Sequence, residues 1–179
     1  MAFLVALLVV FSVHALDFHG SVPNFRNRSG GGILLDIKPA FSEAGVYERL
    51  DSYGEEGRRI YSFRNATVDV VLPLSLLPFL FLFMLKAFEA LHLSRLQRLF
   101  LLSLSIVYAL FDFAENAAVL VLLKRFPDRI HLLAVVLPYL TTVKRTASIL
   151  SFVLPLAIFA SAFVRNRFGG PLLSSRSRW

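Results

Sequence analysis

Asp112, Glu115 and Asn116 stand three and four residues apart, so on a helix their side chains share one face. They lie inside an apolar run from Leu99 to Leu123. An unpaired carboxylate at the centre of such a run costs at least ~2.5–3.5 kcal/mol on insertion scales. The groups must therefore be neutralised, paired or wetted. Three chemistries fit: an ion-pair network that fixes the register of two helices, a polar pocket for a ligand or lipid, and a proton relay.

A partner follows from counting across the next loop. Lys124 to Arg129 is a tight basic turn, and a second apolar run follows from Leu132 to Val164. If the two runs form an antiparallel hairpin, Asp112 is level with about Val143 and Glu115 with about Leu140. Lys144 then stands at the depth of both carboxylates. Arg145 points about 100° away around the same helix, toward Glu115 from the side, a lipid headgroup or a neighbouring subunit. Thr141 and Thr142 can add hydroxyl donors. The expected network is thus Asp112, Glu115, Asn116, Lys144 and Thr142, at mid-depth of its helix. With a basic partner in reach, the leading reading is an internal lock between helices.

Other chemistry finds little footing. The chain has no cysteine, which removes disulfides, thiolate nucleophiles and Cys-ligated metals. Its four histidines are scattered without helical ligand spacing, so no metal site is expected. No phosphate-cradling loop, dinucleotide fingerprint or nucleophile–base order occurs, and Ser29-Gly30-Gly31-Gly32 lacks the Lys and helix of a phosphate cradle. No catalytic residue and no cofactor are expected.

The elements that position the acidic face are membrane helices. Of 179 residues, 56% are hydrophobic and 18 are Phe; mean hydropathy is +0.66, above the range of soluble domains. The net charge of +7 flanks the apolar runs instead of forming a stripe with interleaved aromatics, which argues against nucleic acid. An all-α, polytopic fold with about four transmembrane helices is expected. Residues 1–16 form the first, short and signal-like, with Val13-His14-Ala15 resembling a cleavage site. With no Lys or Arg before the apolar stretch, a retained helix or signal anchor is the expectation.

Residues 17–66 are an extramembrane connector. Val46, Leu50 and Tyr53 recur at helical spacing, placing short amphipathic helices over Ser42–Tyr53 and Glu55–Phe63, with Gly54 between them. Residues 67–164 hold a three-helix core. Its first helix, Val68–Ala90, contains Pro73 and Pro78, tolerated where neighbours satisfy the freed carbonyls. Asp69 is read as a cap at the membrane border. The last run, 33 residues and about 50 Å as a helix, must kink at Pro138 or Pro155 or project from the bilayer. Residues 165–179 are a basic tail. Arg95, Arg98, Arg165, Arg167, Arg176 and Arg178 favour cytoplasmic or matrix-side termini, against Lys124, Arg125 and Arg129.

The sequence Leu50-Asp51-Ser52-Tyr53-Gly54-Glu55-Glu56-Gly57-Arg58-Arg59-Ile60-Tyr61 leads to Asp69 and Pro73. Asp112-Phe113-Ala114-Glu115-Asn116 and Thr141-Thr142-Val143-Lys144 follow. In that order, over about residues 45–160, they resemble a family of uncharacterised bacterial multi-helix membrane proteins. The resemblance implies three to four helices and a pairing of Lys144 with the acidic residues. It implies no activity, and the first 44 residues and the tail fall outside it.

A glycine-rich loop and a Ser/Arg tail need partners to hold them. The functional expectation is therefore a non-catalytic accessory subunit of a larger energy-transducing complex, respiratory chain or ATP synthase, in the mitochondrial inner membrane. Its partners would be other membrane subunits and anionic lipid such as cardiolipin. Headgroup contacts fall to Arg95, Arg98, Lys124, Arg125, Arg129, Arg145, Arg165 and Arg167. The alternative is a small membrane enzyme or lipid-binding protein with a pocket at Asp112, Glu115 and Lys144. The signal-like N-terminus and the sequon Asn27-Arg28-Ser29 leave the endomembrane system open; the second sequon, at Asn65, lies too close to the membrane.

Overall fold

A computed structural model describes residues 1–91 and 93–168. Among these residues all regular structure is helical: α1 (Ala2–Ala15), α2 (Val22–Arg28), α3 (Glu43–Ser52), α4 (Gly54–Ala66), α5 (Val68–Ala90), α6 (Arg95–Arg125) and α7 (His131–Phe168). Local chemistry sets most of the boundaries. Ser21 and Ser42 cap α2 and α3 by accepting from Asn24 N and Gly45 N. Ser94 and Gln97 form a reciprocal capping box on α6. Gly54, at φ +63°, turns the chain between α3 and α4. A break at Thr67 (φ −129°, ψ −74°) separates α4 from α5, and the Thr67 hydroxyl donates to Phe63 O.

Three helical stretches are long and apolar enough to cross a bilayer: Gly54–Ala90, Arg95–Arg125 and His131–Arg165. The architecture is that of a polytopic helical membrane protein. With 14 residues, about 21 Å, α1 falls short of the ~20 residues a span requires. It lies against α5, with Phe3 and Phe79 rings 5.4 Å apart.

The molecule has two storeys. In the bundle, α6 is central: half of its apolar window is buried, against 22% for α5 and α7. The second storey is a headpiece. Its core gathers Phe25, Leu34, Leu35, Val46, Leu50, Tyr53, Ile60 and Tyr61 from the connector with Val119, Leu122, Ala134 and Leu137 from α6 and α7. The connector therefore does not stand apart from the core helices. It folds around the adjoining ends of α6 and α7, and α2, which the periodicity did not indicate, belongs to it. The long last helix runs past Pro138 and Pro155 and spends its excess length by projecting into this headpiece.

Candidate functional site: a buried polar junction

The predicted acidic face sits where the two storeys meet. Lys144 Nζ lies 3.1 Å from Asp112 Oδ1 and also contacts Glu115 Oε2. Glu115 is fully buried, and its other oxygen accepts from the hydroxyl of Thr141. Asn116 donates to Asp112 Oδ2 at 3.1 Å and to the backbone carbonyl of Asp69 at 2.9 Å. These contacts join α5, α6 and α7, and the Lys144 pairing follows the hairpin arithmetic.

The junction is larger than the expected network. Arg64, 1% exposed, pairs with Asp69 Oδ1 at 2.8 Å and donates to Gly20 O at 3.1 Å. Asn65 donates to the Asn116 carbonyl at 2.9 Å, which ties α4 to α6. Arg64 and Asn65 were missed because they immediately precede the apolar run of α5, where polar residues read as flanks. Asp69 is not the expected helix cap: it makes no capping bond, and its carboxylate is one half of a buried ion pair. Asn65 is 4% exposed and committed to this bond, whereas Asn27 is exposed and donates to Asp17 Oδ2 at 3.0 Å.

Two expected residues take other roles. Thr142 points away and donates to its own helix at Pro138 O, 2.7 Å; Thr141 fills the place assigned to it. A one-residue step turns a helix by about 100°, enough to exchange the junction for the opposite flank. The same step turns Arg145 toward the connector. Its guanidinium donates to Asp36 O at 3.0 Å and Ile37 O at 2.9 Å, pinning the connector loop to α7.

The level of the site along α5 was not expected. Asn116 meets Asp69, in the first turn of α5, not its middle. From this level, Asp69 to Ala90, Asn116 back to Arg95 and Lys144 on to Arg165 are each 21 residues apart, about 32 Å of helix. At the far end Arg165 donates to Ala90 O at 3.3 Å, Arg98 donates to Leu93 O at 3.2 Å and lies 5.9 Å from the Phe88 ring centroid, and Arg95 and Arg167 are exposed. Two polar levels thus bracket an apolar length that matches the ~30 Å hydrocarbon core. The carboxylates mark one border of it, not the centre. Lys124, Arg125 and Arg129 lie beyond that border, on the headpiece; the Arg129 guanidinium sits 5.4 Å from the Tyr47 ring centroid. Arg176 and Arg178 lie outside the described residues.

Chemically, three carboxylates (Asp69, Asp112, Glu115) face two cations (Arg64, Lys144) in a largely buried setting. Asp112, Glu115 and Asn116 are buried, and the groove between α4 and α6 is lined by other residues. No cluster of three potential metal ligands occurs among the described residues. What the arrangement does is hold four helices, α4 to α7, in one register. No protein-family model, curated protein or solved structure matches this chain.

Proposed function

We propose that this protein is a non-catalytic integral membrane subunit of a larger assembly. In this reading the 32 Å apolar length lies in the bilayer and the headpiece presents a surface to a partner. The observation that carries it is an apolar ridge outside that length. Leu132 (70% exposed), Val135, Val136 and Tyr139 (62% exposed) fall at helical spacing along the outer face of α7, and Phe41 meets Tyr139 edge to face with ring centroids 6.5 Å apart. These positions precede Lys144 by 5 to 12 residues, so they project about 8–18 Å beyond the junction. Lipid tails do not reach that far, and a contiguous apolar patch facing water signals a protein contact. The ion-paired junction supports the non-catalytic part, because Lys144 and Arg64 already engage its three carboxylates.

The finer expectation, a respiratory-chain or ATP-synthase complex of the mitochondrial inner membrane with cardiolipin at the basic flanks, belongs to the same proposal and rests on the sequence. The test is extraction in a mild detergent followed by identification of co-purifying proteins. A single cysteine at Tyr139 in this cysteine-free chain provides a crosslinking handle. The expected result is a stoichiometric membrane partner crosslinked through that position. Recovery of a free monomer, with no crosslink in native membranes, would overturn the proposal.

A further inference from the structure

We infer that an open groove between α4 and α6 is a binding site for a phosphate-bearing anion presented at the membrane surface. The inference rests on the bilayer placement proposed above. The groove measures about 620 Å³ and has a graded lining. At the end nearest the start of α5 the walls are apolar, with Phe63 and Ala66 on α4 facing Leu120 on α6. At the outer end stand Arg58, Arg59 and Lys124.

That gradient follows the order of a lipid molecule, apolar toward the bilayer and charged away from it. Arg59 precedes Ala66 by seven residues and Lys124 follows Asn116 by eight, so the cations sit about 10–12 Å outside the junction. The headgroup layer is about 5–7 Å deep on each side, and Arg and Lys side chains bridge the remainder by reaching back toward the surface.

The cations are arranged to receive an anion. Arg58 is fixed as a wall, with its guanidinium 4.2 Å from the Phe126 ring centroid and one nitrogen donating to Leu50 O at 3.0 Å. Arg59 is loosely held, 3.4 Å from Glu56 with its side chain 72% exposed. Lys124 makes no ion pair among the described residues. Glu55 is the only carboxylate in the lining, and with Glu56 beside Arg59 the three cations still outnumber the carboxylates by one. A phosphate diester or monoester oxygen suits this set, with Arg59 offering a fork and Lys124 a point charge.

The experiment uses the full chain reconstituted in phosphatidylcholine nanodiscs. Depth-dependent quenching of single-cysteine probes at Ser75 and at Ser62 first checks the bilayer placement by itself: Ser75 should report hydrocarbon and Ser62 the headgroup layer. Retention of phosphatidylglycerol is then measured by native mass spectrometry, with soluble glycerol 3-phosphate as the lipid-free arm. The wild type should retain phosphatidylglycerol over phosphatidylcholine. Lys124→Glu and Arg59→Glu should each weaken retention about tenfold, while Arg125→Glu, exposed but outside the groove, should change it little. If glycerol 3-phosphate binds as tightly and shows the same variant pattern, the anion site stands and its natural source is a soluble phosphate. Equal losses in all three variants, or no preference for phosphatidylglycerol with correct probe depths, would overturn the inference.

Discussion

The headpiece and the membrane bundle are built from the same helices but held together differently. In the headpiece, aromatic rings interlock and their polar ends are bonded. Phe25, Tyr53 and Tyr61 meet at centroid distances of 5.0, 5.4 and 5.9 Å, Tyr53 donates to Ile33 O at 2.7 Å, and Tyr61 donates to Asp36 at 3.3 Å. This is the packing of a water-facing core, where burial of apolar surface drives assembly. In the bundle, small residues let helices approach: Ala87, Ala109, Ala147 and Ala162 are buried, and the Ser105 and Ser151 hydroxyls meet at 3.5 Å. Large side chains such as Leu74 and Leu82 turn outward, because lipid is as apolar as a leucine neighbour. One polypeptide thus uses two solvents, and the ion pairs lie where the rules change.

Breaking that border should have the largest effect. Lys144→Met leaves Asp112 and Glu115 without their cation, and stranding a buried charge costs about 3–5 kcal/mol. Thermal unfolding in detergent should show a markedly lower midpoint, with headpiece proteolysis appearing first. Adding Asp112→Leu and Glu115→Met to that variant removes the stranded charges and should recover most of the loss. A single variant as stable as the wild type would show that the junction does not couple the two storeys.

The ion pair was legible in the sequence and its level against α5 was not, and both outcomes have one cause. Hairpin counting uses only the relative level of α6 and α7, which the short loop between Arg125 and His131 fixes. Absolute depth needs a third reference, and that reference is α5, whose first turn meets Asn116 only after the chain folds. Centring the membrane on the apolar run Leu99–Leu123 puts Asp112 at mid-depth; the placement proposed above puts it at the border, because Ala118, Val119 and Leu122 pack in the headpiece core. Apolar residues in a soluble-type core and in a membrane span look alike in sequence. Thr142 was chosen over Thr141 for a related reason: both lie at the right level, and only the rotational setting of α7 separates them. Arg64, by contrast, gave no periodic signal, because its partner Asp69 lies across the Thr67 break and not one turn along a continuous helix.

The contrast between solvents sharpens with paired truncations. Leu122, fully buried in the headpiece, should lose about 2–5 kcal/mol as Leu122→Ala. Leu74, 58% exposed on the bundle, should lose less than about 0.5 kcal/mol as Leu74→Ala, within the usual range for surface changes. Equal losses would mean that Leu74 is covered by protein and that the outer face of α5 is an interface. The junction offers a smaller pair. Thr141→Val removes the hydroxyl held against Glu115 and should cost about 1–3 kcal/mol. Thr142→Val gives up only a bond to its own helix and should be close to neutral. Reversal of that order would place the other flank of α7 against α6.

The smallest expected effect belongs to the headpiece alone and is a matter of pH. Burial pushes the Tyr53 phenol well above its ordinary value of 10.0, the Arg49 charge opposes that rise, and Asp36 adds to it. A phenol whose folded value is raised keeps its proton in the native state after the unfolded chain has lost it. Stability is therefore unaffected below about pH 10 and falls as pH climbs above it. Tyr53→Phe loses the bond to Ile33 O, about 1 kcal/mol, but carries no proton to lose. Denaturation of the headpiece followed by near-ultraviolet circular dichroism should show the wild type more stable at pH 8. That advantage should shrink between pH 10 and 11. An advantage that stays constant across this interval would mean that water reaches Tyr53, and that the headpiece core is less sealed than the ring packing against Phe25 and Tyr61 implies.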